Sequence, residues 1–324
     1  MRAWRAHSYG SYKDVLQLDD LPALTAPAGG AVVKVEAAAL NFPDLLSIAG
    51  QYQVKAPLPF TPGIEAAGTV VRTGAGSTFS VGDQVIVSAP WGAFAEETAA
   101  ADRQLLRWPT GLSAAEAASF VVTYHTGYLA LAHRAALRAG ETLLVHGGAG
   151  GVGIAAIQLG KALGATVIAT AGADDKLEIC RAAGADHVIN YRSGDWVAAV
   201  KQLTGGKGAD VIYDPVGGDV FDQSLKCIAW EGRILVIGFA SGKIPELKLN
   251  RVLLKNISVV GLFWGAYQMH DPAKVVACHD ALCALVAAGK IRPVIWKELP
   301  LAELPTALAA LESRQSHGKI AIIP

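Results

Sequence analysis

The stretch from Leu143 to Gly164 reads LLVHGGAGGVGIAAIQLGKALG and decides the fold. An apolar run leads into a GxGxxG turn, and apolar residues at helical spacing follow. In a dinucleotide-binding unit, Gly148 takes the tight turn, Gly150 lets the main chain approach a pyrophosphate and Gly153 lets the helix close on the strand. The first N–H groups of the helix then face the phosphates. The helix ends before Gly164, which suits the C′ position.

The surroundings of this turn decide between a nucleotide site and an ordinary glycine-rich loop, because a lone GxGxxG is a weak signal. Strand and helix patterns alternate after it. Strands are predicted at 166–170, 187–190, 210–213 and 233–237, and helices at 175–183, 195–204 and 219–229. The alternation predicts an α/β fold with a doubly wound parallel sheet, and it favours the nucleotide site.

Composition restricts the class of protein. The chain has 324 residues, enough for two domains. Its 28 Lys and Arg balance its 28 Asp and Glu, so no net charge favours a nucleic acid or an acidic membrane, and a small molecule is the expected partner. The N-terminal segment has no apolar signal region, which predicts a soluble, cytoplasmic protein. The cysteines lack CxxC spacing and are predicted to be buried, reduced thiols: Cys180, Cys227, Cys278 and Cys283.

The segments before and after the predicted nucleotide-binding unit have a different pattern of strands and helices. Short strands separated by Gly, Pro and Asp predict a mainly β first domain, with strands at 31–38, 68–72, 82–88 and 94–99. Ser113 and Glu116 have capping-box spacing and begin a long helical pattern, 113–131, interpreted as the crossover between domains. The last elements break the alternation and are expected to return to the first domain: helices at 272–288 and 302–313, and strands at 293–297 and 320–323.

Several motifs together resemble the medium-chain dehydrogenase/reductase family, and within it the zinc-independent NADPH:quinone oxidoreductases (zeta-crystallin-like). They are AALNFPDLLSIAGQY (38–52), LPFTPGIEAAGTV (58–70), VGDQV (81–85), VHGGAGGVG (145–153), GAD (184–186), DPVGG (214–218) and SRQSHGKIAIIP (313–324). The resemblance covers essentially the whole chain. It implies a GroES-like substrate domain at 1–121 and 264–324, a Rossmann-type NADP-binding domain at 122–263, and an active site in the cleft between them.

The resemblance also bears on metal binding. Zinc-dependent members are expected to carry Cys where Asn41 stands, His where Ile64 stands, and a lobe with four closely spaced cysteines. This chain has none of these, so we expect no metal. Without zinc to stabilise an alkoxide, hydride donation to an electron-poor quinone or conjugated enone is the easier chemistry, and the resemblance implies the same class.

Cofactor choice depends on the end of the second strand, where an Asp or Glu would bind the ribose 2′-OH of NAD. Gly172 stands there. Lys176, Tyr191 and Arg314 match the positions that hold the 2′-phosphate in quinone reductases, so NADPH is expected. The alternative is that Lys176 and Arg314 are solvated helix charges.

Four polar residues near the proposed site have competing interpretations. Asp174 and Asp175 would favour NAD if they lay near the ribose, but they also suit a helix N-terminus, and we interpret them as capping residues. His146 ends the strand before the glycine turn and is expected to be structural, while the orientation of His125 is open. Neither histidine is predicted to be catalytic.

At the reacting end, the resemblance implies that Asn41, Tyr52 and Thr126 are catalytic. Asn41 and Thr126 can hydrogen-bond the carboxamide or the acceptor oxygen, and Tyr52 can donate to a developing enolate or hydroquinone oxygen. Tyr52 is otherwise a surface tyrosine in a glycine-rich loop. The expected cofactor-binding residues are Asn41, Thr126, Gly148, Gly150, Gly151, Val152, Gly153, Gly172, Lys176, Tyr191, Gly238, Phe239, Phe263, Trp264 and Arg314. The chain departs from bacterial quinone reductases at Pro215, Phe239 and Trp264, so the shape of the acceptor site is open.

These observations predict an NADPH-dependent, metal-free reductase of quinones or related conjugated carbonyl compounds. One alternative is a 2-enoyl thioester reductase of the same superfamily, in which the tyrosine matching Tyr52 resembles a proton donor. Only Lys55 near Tyr52 offers a charge for a CoA or carrier phosphate, which favours quinones. Another alternative is a non-catalytic, crystallin-like or RNA-binding NADPH protein. The apolar segment 257–262 is predicted to be an exposed edge strand, and the resemblance implies a homodimer through that edge, near 257–263.

Overall fold

A computed structural model describes residues 1–324, which form two compact units. The first unit contains Met1–Val122, Gln268–Ala287 and Arg292–Pro324, and the second contains Thr123–Tyr267 and Ala288–Ile291. The domain limits 1–121, 122–263 and 264–324 stay a prediction. None of the helices combines the length and apolar composition that a membrane span requires.

The second unit is built on a six-stranded parallel sheet, which confirms the predicted doubly wound fold. The strand order is β10-β9-β8-β11-β12-β13. The strands are β8 (Thr142–Val145), β9 (Thr166–Ala171), β10 (His187–Asn190), β11 (Ala209–Asp214), β12 (Ile228–Val236) and β13 (Ser258–Gly261). The helices are α4 (Thr126–Tyr128), α5 (Gly151–Ala162), α6 (Asp174–Ala182), α7 (Trp196–Leu203), α8 (Asp219–Cys227), α9 (Asn250–Lys255) and α10 (Trp264–His270), whose last turn belongs to the first unit.

The quoted stretch forms the centre of this unit. β8 is buried on both faces, as a central parallel strand must be. α5 packs its buried side, including Ile154 and Ile157, on the sheet. Gly160 lies so close to Leu143 that a Cβ there would overlap the leucine side chain. The helix ends as predicted: Gly164 has φ +84° and donates its N–H to the Lys161 carbonyl.

The first unit is mainly β, as predicted. Its larger sheet follows the order β14-β15-β3-β4-β5-β7, β6 also pairs with β3, and β1 and β2 form a separate ribbon. The strands are β1 (Arg2–Ala6), β2 (Leu16–Asp20), β3 (Gly30–Ala39), β4 (Glu65–Thr73), β5 (Gln84–Ser88), β6 (Glu97–Ala101), β7 (Leu105–Arg107), β14 (Ile295–Pro300) and β15 (Lys319–Ile323). The helices are α1 (Tyr12–Val15), α2 (Phe42–Ile48), α3 (Ala114–Ala118), α11 (Pro272–Ala287) and α12 (Leu304–Glu312).

The predicted crossover helix at 113–131 is not continuous. The capping box is confirmed, since Ser113 Oγ accepts from the Glu116 N–H and Glu116 Oε2 accepts from the Ser113 N–H. α3 then ends at Ala118, and two π-helical stretches, Val121–His125 and Leu129–Arg134, flank α4. The first contains a run of β-branched residues, which crowd the preceding turn of an α-helix and so favour a different winding.

Candidate active site

The glycine turn follows β8, at the carboxyl end of the sheet. Gly147, not Gly148, takes the left-handed conformation, with φ +60°. Gly148 instead donates its N–H to the Thr170 carbonyl, and a Cβ at this position would overlap Cys180. A Cβ at Gly153 would overlap the backbone of Gly147 and Gly148. The motif therefore packs the helix against its own turn, as the GxGxxG pattern requires.

The N-terminus of α5 is built for an anion. The helix begins at Gly151 after Gly150, which has no side chain to cap it. The N–H groups of the first turn, including that of Val152, have no helical partner, and the helix dipole adds positive potential there. α5 has 12 residues, long enough for the dipole to develop. This arrangement fits the pyrophosphate of a dinucleotide.

The end of β9 carries no acidic side chain next to the last strand residue, Ala171. Gly172 follows it, and the Tyr191 hydroxyl lies where a Cβ on Gly172 would be. Tyr191 is 44% exposed, and Lys176 lies on α6 in the same unit. Arg314 belongs to the first unit, two residues after the end of α12, with φ +58°. The end of β9 therefore presents a tyrosine hydroxyl and no acidic residue at the position where an Asp or Glu would bind a ribose 2′-OH.

The capping role proposed for Asp174 and Asp175 is wrong in detail. α6 has Ala173 as its N-cap, and the two aspartates occupy the first turn. The Asp174 carboxylate accepts a hydrogen bond from Asn190 Nδ2 at 2.8 Å. Both carboxylates still complement the helix dipole, so their placement has a structural reason.

Two further turns end strands β11 and β12. In the DPVGG turn, the buried Asp214 carboxylate accepts the N–H groups of Val216 at 2.8 Å and Gly217 at 3.0 Å. Burial raises the pKa of Asp214, and these two bonds lower it again in part. Gly217 has φ +70°, and a Cβ there would overlap the Phe239 ring. Gly238 lies beside the Pro215 carbonyl, so the predicted Gly238–Phe239 segment packs on this turn.

Aromatic side chains pack near the start of α4. The buried His125 ring meets the Trp264 ring edge-to-face, with centroids 5.0 Å apart. Thr126, the first residue of α4, is also buried, whereas the neighbouring Phe263 is 49% exposed. Within the second unit, the structure therefore brings Trp264 to the segment that carries Thr126.

His146 is a structural residue, as predicted. Its Nδ1 lies 3.0 Å from Thr170 Oγ1, its Nε2 lies 2.9 Å from Ser224 Oγ, and its ring packs edge-to-face on Trp196. Burial lowers the pKa of His146 to about 3, so the imidazole is neutral. Both ring nitrogens are engaged, which leaves none for substrate.

Asn41 lies in a buried polar network of the first unit, together with Asp44, Glu65 and Lys319. Asn41 Nδ2 donates to Glu65 Oε1 at 2.8 Å and to the Ala39 carbonyl at 3.2 Å. Lys319 Nζ donates to Asn41 Oδ1 at 2.5 Å and to Glu65 Oε1 at 2.9 Å. Since an ammonium only donates, Lys319 fixes which side of the Asn41 amide carries the oxygen. Both Asn41 amide hydrogens are engaged, and only a second lone pair on Oδ1 remains.

The second oxygen of Glu65 connects this network to the segment after α3. Glu65 Oε2 accepts the Val122 N–H at 2.9 Å. Val122 belongs to the π-helical stretch that leads into α4. One fully buried carboxylate therefore holds both Asn41 and the start of this segment.

Asp44 is the fourth member of the network and is fully buried. Its Oδ2 accepts the Asn41 N–H at 2.7 Å, while its Oδ1 has no hydrogen-bond partner. Burial raises the pKa of Asp44 to about 7; the Asn41 N–H and Lys319 oppose the rise, and Glu65 adds to it. Tyr52 is half-buried in the loop after α2. Its burial, and then the charge of the Asp44 carboxylate, raise the pKa of Tyr52.

Comparison with known proteins places the chain in a family. Residues 27–130 match the family model described as "Alcohol dehydrogenase GroES-like domain", and residues 151–278 match "Zinc-binding dehydrogenase". The mouse protein named quinone oxidoreductase-like protein 2 is 41% identical over 298 residues, which are 91% of this chain and 85% of the mouse protein. The chain belongs to the quinone oxidoreductase family of the medium-chain dehydrogenases/reductases.

Solved structures support the same family assignment. The crystal structure of a probable oxidoreductase from Mycobacterium abscessus is 38% identical, with a TM-score of 0.91, and the match covers 100% of this chain and 99% of that one. Quinone oxidoreductase from Escherichia coli, solved in complex with NADPH, is 30% identical with a TM-score of 0.93 over the whole of both chains. The predicted GroES-like and Rossmann-type architecture is confirmed.

Sequence reasoning missed three members of the buried network around Asn41: Asp44, Glu65 and Lys319. A signal for two of them was present, because Glu65 begins the apolar strand β4 and Lys319 begins the apolar strand β15. Charged residues in buried strands need partners of opposite charge. Opposite charges at the starts of two such strands therefore predict a buried pair.

Proposed function

We propose that this oxidoreductase transfers hydride from NADPH to quinones or related conjugated carbonyl compounds without zinc. The observation that supports the proposal most is the end of β9, where Gly172, and not an Asp or Glu, follows the last strand residue and packs under the Tyr191 hydroxyl. The first turn of α5 would bind the pyrophosphate, and Lys176, Tyr191 and Arg314 would bind the 2′-phosphate. NADPH supplies the hydride when bound.

The buried network supports a narrower role for Asn41 than the sequence predicts. Its amide hydrogens already bond to Glu65 and to the Ala39 carbonyl. Asn41 would therefore accept a hydrogen bond through Oδ1, for example from the carboxamide N–H of the nicotinamide, and would not donate to the substrate. Donation to an acceptor oxygen falls to Tyr52 and Thr126 in this proposal.

Tyr52 has the protonation state that a donor needs. A tyrosine phenol is protonated at neutral pH, and burial raises the pKa of Tyr52 further, so the O–H can hydrogen-bond a developing hydroquinone oxygen. In the thioester alternative the same O–H would protonate the α-carbon of an enoyl group. The position of Tyr52 supports both reactions, and their substrates separate them.

The proposal of zinc independence rests on the side chains at positions 41 and 64, where zinc-dependent members are expected to carry ligands. Asn41 Oδ1 is bound by an ammonium, and Ile64 has no donor atom. Neither residue suits a zinc ion, which prefers thiolate, imidazole and carboxylate ligands. These two side chains support zinc independence, although the chain matches a family model described as "Zinc-binding dehydrogenase".

The open edge of the parallel sheet supports a homodimer. β13 pairs only with β12, and Ile244, Leu249, Leu253 and Leu254 nearby in the chain are 72 to 75% exposed. We propose that a second copy of this chain covers β13 and α9, because a two-fold axis lets the same edge and the same leucines pair with themselves. The four free cysteines suit the cytoplasmic location that the sequence predicts.

The test follows NADPH absorbance with purified, chelator-treated protein. 1,4-Benzoquinone and 9,10-phenanthrenequinone are compared with crotonyl-CoA, each with NADPH and NADH. The proposal predicts quinone-dependent oxidation that prefers NADPH and does not respond to the chelator. Turnover with crotonyl-CoA alone would assign the protein to enoyl thioester reduction, and turnover that the chelator abolishes would refute zinc independence.

A further inference from the structure

A basic cavity that the proposed function does not use lies at the end of the parallel sheet where its strands begin. The cavity has a volume of about 280 Å³ and lies entirely within the second unit. Four lysines line it: Lys201, Lys207, Lys226 and Lys255. Lys207 lies two residues before the first residue of β11, whereas the glycine turn follows the last residues of β8. Because β8 and β11 are parallel, the cavity and the cofactor turn lie at opposite ends of the strands.

The four lysines of this cavity are not paired with carboxylates. None of them forms an ion pair, and no carboxylate lines the cavity. Burial, and then the charge of Lys201, lower the pKa of Lys255, as expected for neighbouring positive charges. Asp195 contributes a negative charge from the start of α7, but it is not part of the lining.

The ends of helices account for the positions of three of the four lysines, but not for that of the fourth. Lys201, Lys226 and Lys255 occupy the last turns of α7, α8 and α9, where cations are favourable. Lys255 Nζ also donates to the Leu225 and Ile228 carbonyls, at 3.0 and 3.3 Å. Lys207 lies in the loop before β11 and serves no helix end. Three helix ends and this loop therefore concentrate charge in one cavity.

The rim of the cavity holds an exposed aromatic ring. Trp230, in β12, is 63% exposed, and no ammonium group lies over its indole. An exposed tryptophan beside a basic cavity is the combination that binds phosphates together with a flat aromatic base. The volume is close to the lower end for ligand pockets, roughly 300 Å³, and suits a few phosphate groups with a base outside on the rim.

We propose that this cavity is a second anion site, which binds a compact polyphosphate independently of the cofactor. Ammonium groups provide charge-assisted hydrogen bonds to phosphate oxygens, and several of them together select a multiply charged ligand over a single anion. Two sources share this chemistry: inorganic polyphosphate, and the phosphate chain of a free nucleotide whose base would stack on Trp230.

Calorimetric titration of the full-length protein saturated with NADP⁺ tests the site, because the cofactor turn is then filled. Tripolyphosphate and ATP are titrated at physiological ionic strength into the wild type and into Lys207→Gln/Lys226→Gln. We expect saturable binding that this double variant weakens by roughly tenfold, since each exposed ammonium–phosphate contact contributes modestly. The matched control, Lys34→Gln/Lys290→Gln, removes two exposed lysines outside the cavity and should bind as the wild type does.

The two ligands distinguish the sources. Tighter binding of ATP, with the difference lost in Trp230→Leu, assigns the site to free nucleotides, whereas equal affinity that Trp230→Leu leaves unchanged assigns it to inorganic polyphosphate. Absence of saturable binding would overturn the proposal, and so would equal weakening by the cavity and control variants, which would indicate diffuse charge. NADPH-dependent quinone turnover should be normal in the cavity variant, so failure here is distinct from failure of the proposed function.

Discussion

Among single residues, Lys319 is the centre of the buried network around Asn41. Its ammonium group contacts the Leu40 carbonyl, Asn41 and Glu65, and it is only 6% exposed. Lys319→Met would leave the Glu65 carboxylate buried and unpaired. We expect a loss of roughly 3–5 kcal/mol in the free energy of unfolding, measured by denaturant titration.

A second variant separates charge from packing. Adding Glu65→Gln to Lys319→Met removes the unpaired charge, so the double variant should be more stable than Lys319→Met alone. Lys34→Met, at an exposed position of the same sheet, is the control and should cost little. A double variant no more stable than Lys319→Met would contradict the electrostatic account.

Asp44 makes the stability of the protein depend on pH. Its pKa rises from 3.8 to about 7 on folding, so the folded state binds the proton more tightly. The stabilisation is complete below the unfolded pKa and is lost as pH rises toward the folded one; this loss is on the order of 4 kcal/mol for the full shift. As the pH rises from about 5 to about 8, the wild type loses this stabilisation and Asp44→Asn does not. The free energy of unfolding of Asp44→Asn should therefore increase relative to that of the wild type over this range.

The comparison uses unfolding curves of both proteins at the two pH values. Asp83→Asn is the matched control, because the Asp83 carboxylate likewise accepts a backbone N–H, from Ser80, but lies half-buried in a loop. A stability difference between Asp44→Asn and wild type that is the same at both pH values would refute the assigned titration.

Lys176 tests the choice of cofactor. Lys176→Ala should weaken NADPH binding by about tenfold, because it removes a charge-assisted contact to the 2′-phosphate, and it should leave NADH binding nearly unchanged. Dissociation constants from fluorescence titration provide the measurement. Equal losses for both cofactors would place the phosphate elsewhere. Gly172→Asp would be a less clean test of cofactor choice, because its Cβ would displace the Tyr191 hydroxyl.

At the scale of elements, β13 and α9 form the surface for which a partner is proposed. Leu253→Glu/Leu254→Glu would place two charges on that surface and should convert a dimer into a monomer, as light scattering after gel filtration would show. Val276→Glu, on α11 of the first unit and 54% exposed, is the control and should remain dimeric. A wild-type monomer at every concentration would rule out the dimer.

Regular elements were predictable because their signals are local. The strand His187–Asn190 has the predicted limits, and α5 ends before Gly164 as its sequence requires. The crossover helix was not predictable, because a helical period does not distinguish α from π winding. Gly147 was also misjudged: in a run of two adjacent glycines, the pattern does not say which one takes the positive φ.

For the whole molecule, the fold could be predicted, and so could the presence of a buried Glu65–Lys319 pair, but not the contacts that join this pair to Asn41 and Asp44. Strand alternation and apolar runs report on neighbours along the chain, which is why the parallel sheet and the mainly β unit emerge from the sequence. Asn41 meets Glu65 across 24 residues and Lys319 across 278 residues. Such contacts depend on how β3, β4 and β15 pair, so they follow only after the sheet order is known.

Single-turnover absorbance measurements show whether the protein transfers hydride from NADPH to a quinone. NADPH and NADPH deuterated at the transferred C4 position are each mixed with excess protein and 1,4-benzoquinone. We expect quinone-dependent loss of NADPH absorbance that slows on deuteration, because the C4–H bond breaks in the measured step. Unchanged absorbance with the quinone, while NADPH binding is intact, would contradict the proposed hydride transfer.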